Sequence, residues 1–171
     1  INKTCYRNLM KIFILITILL ITFFGISKLA DLGADKVISD ESKQSLNWHI
    51  DFEKAKEASQ ASGRPILMDF TGSDWCGWGI KLKDEVFNKA EFIDHASEQF
   101  VLMEVDFPRS KGQQDAGTIA QNNALKDRYR VRGFPTIILV NAQGVEIART
   151  GYQRGGPSNY IKHLEDLLGS N

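Results

Sequence analysis

The sequence comprises 171 residues, of which 43% are hydrophobic and 25% are charged, the proportions of an ordinary globular protein. This length allows one domain with a substantial core, and the composition excludes fibrous and disordered chains. The formal net charge is zero, but residues 1–30 hold four basic residues and no acid, which leaves the remainder mildly acidic. A mildly acidic domain lacks the basic surface that binds nucleic acid, so no nucleic-acid partner is expected.

The N-terminal segment, residues 1–30, has the pattern of an export signal. Its basic start is followed by fifteen uncharged residues, fewer than the roughly 20 apolar residues that a membrane span needs. We therefore expect a signal peptide cleaved after Ser27 or Ala30, with an uncleaved membrane anchor over residues 9–26 as the alternative. In either case the following domain is expected to be periplasmic or secreted, in a bacterium.

The remainder is predicted to contain a polar linker over residues 31–45 and a single domain over residues 46–171. Residues 48–50 are predicted to form a short edge strand or a cap, and Asp51 is a good N-cap for the first helix. Apolar patterning predicts helices over residues 52–62, 76–88, 90–99, 118–130 and from 155 onward, and strands over residues 66–71, 100–107, 136–140 and 145–150.

The order of these elements predicts an α/β fold. Strands that alternate with helices pair in parallel, whereas the last two strands are joined by the polar turn 141–144 and form an antiparallel hairpin. The prediction is therefore a central mixed sheet flanked by helices. The helical side chains expected to face the core include Phe52, Ala55, Ile80, Leu82, Val86, Phe87, Phe92, Ile93, Ala96, Ile119, Leu125, Tyr129, Tyr160 and Leu164.

Residues 66–82 are predicted to form a buried strand, a short loop and a helix that begins near Cys76. The unpaired backbone N–H groups and the dipole of that helix favour a thiolate at Cys76. The alternative is that Cys76 is a small buried hydrophobic residue, as free cysteines usually are. The other cysteine, Cys5, belongs to the N-terminal segment, so no internal disulfide framework is expected.

The Asp69-Phe70 pair and the Gly-Ser-Asp-Trp-Cys-Gly-Trp sequence over residues 72–78 resemble the active-site strand and loop of the thioredoxin superfamily, in particular its exported bacterial members. The resemblance covers about residues 46–169 and implies the thioredoxin fold. It also implies thiol–disulfide exchange at Cys76 without a cofactor. The implied partners are thiols and disulfides of exported proteins and an external reductant or oxidant, and the implied state is a monomer.

Gly79 departs from the family pattern, which is Cys-x-x-Cys, because it takes the position of the second cysteine. In the family that second thiol attacks the mixed disulfide and releases the substrate. Without it, Cys76 is expected to act as a monothiol or in an isomerase-like manner, with release by an external thiol or by the substrate. The alternative is a redox-inactive module of the same fold that binds extended peptides in a chaperone-like manner.

The resemblance also implies roles for two further residues, Asp69 and Pro135. Asp69 is an acid within an apolar strand, where it needs a partner or a proton; the resemblance implies a buried proton-transfer group, and the alternative is a hydrogen-bonded structural residue. Pro135 precedes a strand and is a candidate for a cis peptide bond. The resemblance implies that it faces Cys76, with Phe134 and Thr136 lining a peptide groove. The alternative is an ordinary turn proline.

Aromatic and charged residues complete the candidate site. Trp75 and Trp78, with Gly77 between them in the loop, are expected to flank the thiol as exposed aromatic side chains that suit peptide binding, unless one belongs to the core. The three histidines are scattered without metal-ligand spacing, so no metal site is expected. A basic cluster at the end of the fourth helix is expected to complement the helix dipole and to be solvated; it consists of Arg128, Arg130 and Arg132.

Overall fold

The computed structural model describes residues 46–110 and 112–169, which form alternating strands and helices. The strands are β1 (Trp48–His49), β2 (Ile66–Thr71), β3 (Val101–Asp106), β4 (Thr136–Val140) and β5 (Glu146–Thr150). The helices are α1 (Phe52–Ser62), α2 (Gly77–Leu82), α3 (Ala90–Gln99), α4 (Ala116–Arg128) and α5 (Gly156–Gly169), and α2 continues into a π-helical turn over Lys83–Phe87. The predicted signal peptide or anchor and the predicted linker lie outside the described residues.

The five strands form one mixed sheet in the order β1-β3-β2-β4-β5. Strand β3 pairs in parallel with both β1 and β2, whereas β4 is antiparallel to β2 and to β5. The predicted α/β class and the mixed sheet with a C-terminal antiparallel hairpin are therefore confirmed. All six residues of β2 are buried because this central strand is covered on both faces, as its continuous apolar run predicts.

The sheet separates two cores. The first core contains Ile66, Met68 and Phe70 of β2 and is closed by α1 and α4. The second core contains Leu67 of β2 and is closed by α2, α3 and α5. Because side chains alternate along a strand, Asp69 and the residue two positions on project toward the second core. The acid predicted in an apolar strand thus lies beneath the helix that begins at the cysteine.

Side-chain caps define the starts of two helices. Asp51 accepts a hydrogen bond from the backbone N–H of Lys54 at 3.1 Å, which caps α1 as predicted. Asp115 accepts from the backbone N–H of Thr118 at 3.0 Å, so α4 begins two residues earlier than its apolar pattern predicts. Gly63 ends α1 in the left-handed conformation at φ 72°, which glycine adopts without strain.

Four apolar residues predicted in elements or in the core are exposed instead. Ile50 is exposed because β1 ends one residue earlier than predicted, at His49. Ile80 is exposed because the buried face of the short helix α2 consists of Gly79 and Leu82, and Ile80 lies off that face. Ile119 lies in the first turn of α4, where it lines an open surface cavity instead of the sheet. Val145 is exposed and precedes β5, which begins one residue later than predicted.

Candidate active site

Cys76 occupies the N-cap position of α2, as the sequence predicts, but it is not open to solvent. The residue is 6% exposed and its thiol is free. Its backbone N–H donates to the carbonyl of Gly72 at 2.7 Å, which folds the loop into a tight turn before the helix. The thiol that the sequence predicts at the start of a helix is therefore nearly buried, because α2 packs closely against the end of β2.

Gly79 is the point of that close packing. A Cβ atom at this position would lie 3.6 Å from the Cys76 Sγ and would clash with the hydroxyl of Thr71. Thr71 ends β2, is itself buried, and its hydroxyl fills the space into which a side chain at position 79 would project. The surroundings of Cys76 are thus a glycine and a threonine hydroxyl, and the described residues contain no second thiol.

The loop before Cys76 is fixed by hydrogen bonds to the segment that follows β3. The carboxylate of Asp74 accepts from the backbone N–H groups of Arg109 and Ser110, each at 2.9 Å, and from the Ser110 hydroxyl at 2.7 Å. These bonds stabilise the charged form and lower the pKa of Asp74 to about 2. Ser73 adds two bonds to the carboxylate of Asp106 at 2.7 and 2.6 Å. The cysteine is therefore presented by a braced loop.

Trp75 is half-buried rather than exposed, which corrects the expectation for this residue. Its indole Nε1 donates to the carbonyl of Phe107 at 2.8 Å, and the guanidinium of Arg109 lies 4.3 Å from its ring centroid. Its ring meets Phe134 edge-on, with centroids 5.8 Å apart. Trp75 therefore joins the cysteine loop to the loop that carries Pro135.

The loop before β4 contains a cis peptide bond between Phe134 and Pro135. Phe134 also stacks on Phe107 at 5.0 Å, and the Thr136 hydroxyl donates to the carbonyl of Gly133 at 2.8 Å. The two motifs singled out in the sequence, 50 or more positions apart, thus meet through one aromatic cluster. Phe134, Pro135 and Thr136 are each partly exposed beside it.

Trp78 is 52% exposed on the other side of Cys76. Its ring lies 5.0 Å from that of Tyr152, and the ammonium of Lys81 lies 5.3 and 5.4 Å from the two ring centroids. The Tyr152 hydroxyl donates to Glu85 at 2.6 Å, and this bond helps to raise the pKa of Tyr152. Gly77 is exposed, with open space where a side chain would project. Trp78 thus forms an aromatic pair with the half-buried Tyr152 two residues beyond Cys76.

Asp69 is 5% exposed, and its Oδ1 atom has no hydrogen-bond partner. Burial raises its pKa to about 8; Glu104, its neighbour in register on β3, acts in the same direction, whereas Lys83 opposes them. Lys83 Nζ lies 3.4 Å from Glu104 Oε1, so its charge is shared with that glutamate. The surroundings of Asp69 therefore favour its protonated, neutral form.

Sequence reasoning missed several members of this site. Thr71 carries no sequence signal beyond ending an apolar strand, and its role depends on the packing of α2. Phe107 and Tyr152 follow the ends of β3 and β5, and only the folded topology brings them to Trp75 and Trp78. The Glu104–Lys83 ion pair could not be predicted from the sequence either, because it joins a strand to the helical turn after α2. No group of three or more His, Cys, Asp or Glu side chains that could hold a metal ion occurs among residues 46–110 and 112–169.

Comparison with known proteins identifies the family. A model of the thioredoxin-like domain matches residues 52–168. The disulfide bond reductase DsbH of Chlamydia pneumoniae is 37% identical over 123 residues, which are 72% of this chain and 73% of DsbH. The thioredoxin-related protein DsbJ of the same organism is 35% identical over 107 residues, 63% of this chain but 30% of DsbJ. A solved structure of DsbH oxidoreductase matches with a TM-score of 0.71 at 32% identity, over 85% of this chain and 99% of that structure. This chain therefore belongs to the thioredoxin-like family.

Proposed function

We propose that this protein carries out thiol–disulfide exchange through the single thiol of Cys76. The observation that carries this proposal is the placement of Cys76 at the start of α2, joined through Trp75 and Phe134 to the loop that contains the cis proline. Its similarity to a disulfide bond reductase supports the same reaction class. Thiol–disulfide exchange requires a thiolate beside a surface that can hold a peptide, and the partly exposed residues around Pro135 supply that surface.

The exchange balances without a cofactor. The Cys76 thiolate attacks one sulfur of a client disulfide, a new S–S bond forms, and the other client sulfur leaves as a thiolate that takes a proton. Because position 79 is glycine, the mixed disulfide is resolved by a low-molecular-weight thiol or by the client's own second thiol, whose attack returns Cys76 as a thiolate. When another client thiol attacks, the client leaves with a rearranged disulfide and no external thiol is consumed. When a low-molecular-weight thiol attacks, it forms a mixed disulfide with the client, and a second molecule of that thiol completes the reduction and leaves with the first as their disulfide.

The remaining site residues have supporting roles in this proposal. Trp78 and the groove beside Phe134, Pro135 and Thr136 bind the client backbone and side chains. Asp69 lies in the core that α2 covers, and burial favours its protonated form, so it is suited to hold a proton on that side of the sheet. The implied clients are exported proteins, consistent with the export signal expected in residues 1–30. No helix among the described residues is long and apolar enough to cross a membrane.

A second candidate function is peptide binding without turnover. Two observations favour it: Cys76 is 6% exposed, and position 79 has no thiol. In this case the exposed Trp78, which packs on the half-buried Tyr152, and the groove beside Pro135 would hold extended segments of client proteins. The two functions differ in whether Cys76 forms a covalent bond with a client.

The test compares the wild type with Cys76→Ser in a reaction with a small peptide disulfide. We expect the wild type to form a mixed disulfide, detected by mass spectrometry, faster than free cysteine does at pH 7, and the Ser variant to form none. A wild-type rate no faster than free cysteine would overturn the catalytic function. In that event, equal peptide affinity of the wild type and Cys76→Ser would favour the binding module.

A further inference from the structure

Beside the candidate groove lies a basic surface cavity that the proposed exchange reaction does not use. The cavity has a volume of about 540 Å³ and opens to solvent between the loop of Pro135 and strand β5. It is lined by Arg130, Arg132, Gly133, Thr136, Arg149 and Thr150. Three guanidinium-bearing residues therefore surround one concave surface at the edge of the peptide groove.

The charges of this cavity are largely uncompensated. Arg149 forms a two-point ion pair with Glu146, its Nε and Nη2 atoms each lying 2.6 Å from a carboxylate oxygen, and Nη2 also donates to the carbonyl of Tyr129. By contrast, neither Arg130 nor Arg132 has an acidic partner within 4.0 Å among residues 46–110 and 112–169, and both are exposed. A positive surface at this position is unexpected in a domain whose overall composition is mildly acidic.

The cavity is also correctly placed to contact a bound peptide. Gly133 and Thr136, which contribute to its wall, flank the Phe134–Pro135 bond directly. On the opposite side, a side chain at Gly151 would approach the Pro135 carbonyl to 3.3 Å, so the strand that carries Arg149 runs close to the same loop. A peptide that lies along the loop of Pro135 would therefore pass beside the arginines.

We propose that Arg130 and Arg132, beside the ion-paired Arg149, form a subsite for acidic side chains that flank the reacting cysteine of a client peptide. The planar guanidinium group presents paired N–H donors that match a carboxylate, so arginine suits this recognition better than lysine. The cavity is open and shallow, which suits side chains of a passing peptide rather than an enclosed small molecule. Since it names the class of client, this inference rests on the proposed function.

The test uses two peptide disulfides that differ only in two residues next to one cysteine, Glu-Glu in one and Gln-Gln in the other. At low ionic strength we expect the acidic peptide to react with Cys76 about tenfold faster, because charge complementarity accelerates encounter. The double variant Arg130→Gln/Arg132→Gln should lose this preference while it retains the rate with the neutral peptide. Added salt should reduce the preference of the wild type.

A charge-matched control separates a local effect from net charge. The variant Lys54→Gln/Lys89→Gln removes the same charge from two exposed residues that do not line the cavity, so its preference should match the wild type. Equal rates of the wild type with both peptides would overturn the subsite and leave the proposed exchange intact. If neither peptide reacts, the affinities of Cys-to-Ser versions of both peptides are compared instead. Tighter binding of the acidic peptide that depends on the arginines would support the subsite although the exchange function has failed. Equal binding of the two peptides would overturn both the subsite and the exchange function.

Discussion

At the scale of single residues, Asp69 is a carboxyl group whose surroundings strongly disfavour its charged form. It is buried in the second core, one of its oxygens lacks a partner, and its register neighbour on β3 is another acid, Glu104. Both burial and Glu104 disfavour the carboxylate, and Lys83 only partly offsets them. The fold thus favours a protonated acid in the core that the helix after Cys76 covers.

The raised pKa of Asp69 predicts an unusual pH dependence of stability. Between its ordinary value of 3.8 and about 8, the native state binds a proton that the unfolded state has lost. Stability therefore falls as pH rises through this window, by up to about 1.4 kcal/mol per pH unit. We expect Asp69→Asn to flatten this dependence, measured by urea unfolding from pH 5 to pH 8. The exposed Asp94→Asn should follow the wild type; a parallel curve for Asp69→Asn would contradict the burial argument.

At the scale of elements, the contact between α2 and β2 determines what position 79 tolerates. The expected effect of Gly79→Ala is a loss of about 1–3 kcal/mol, because the new methyl group overpacks against Thr71. Gly77→Ala is the matched control, since open space surrounds that position and alanine favours a helix. Thermal unfolding of Gly79→Ala, Thr71→Ala and the double variant measures the coupling between the two sites. Additive effects would mean that no clash exists.

The contact between position 79 and Thr71 also limits the introduction of a second thiol. Gly79→Cys supplies a second thiol at the position that the resemblance assigns to one, but its Cβ would meet the Thr71 hydroxyl. We therefore expect Gly79→Cys with Thr71→Ala to gain more insulin-reducing activity than Gly79→Cys alone.

Much of this element structure could be predicted from the sequence. Bounded apolar runs predict β2 and β4, and the Asp51 cap predicts the start of α1, because these signals are local. The exposure of Ile80 and Ile119 could not be predicted, since it depends on where each helix overhangs the sheet. The π-helical turn after α2 also breaks the regular period on which such predictions rest.

The candidate site was predictable to the same degree. The sequence motif around Cys76 and the Phe134–Pro135 pair indicate the two loops of the candidate site. The burial of Cys76 was not predictable, because it depends on the approach of α2 to a buried threonine. The partners of Trp75 and Trp78 are brought in from segments that follow β3 and β5, so they emerge only from topology.

At the scale of the whole molecule, the two cores are separated by the sheet, and α5 seals the one that holds Asp69. Tyr160 and Leu164 of α5 are fully buried there, and burial together with Asp69 raises the pKa of Tyr160. The Tyr160 hydroxyl donates to the carbonyl of Gly151 at 3.1 Å, which ties α5 to the segment after β5. The C-terminal helix is therefore part of the environment that keeps Asp69 neutral.

This arrangement predicts a large effect of truncating the buried face of α5. Leu164→Ala should lower the free energy of unfolding by about 2–5 kcal/mol, because it leaves a cavity in the second core. Leu168→Ala, one turn further on and only partly buried, should cost less. Chemical denaturation of both variants provides the measurement. Equal losses would indicate that the end of α5 is packed as tightly as its centre.

The fit between Gly79 and Thr71 also bears on descent. In a lineage that carries both residues, a substitution of Gly79 alone places a Cβ atom in the space that the Thr71 hydroxyl occupies. Selection for stability therefore acts against that substitution. A smaller residue at position 71 would be the permissive substitution, acquired before or together with any gain at 79. Related proteins are therefore expected to covary at positions 71 and 79. That covariation should show which of the two substitutions came first.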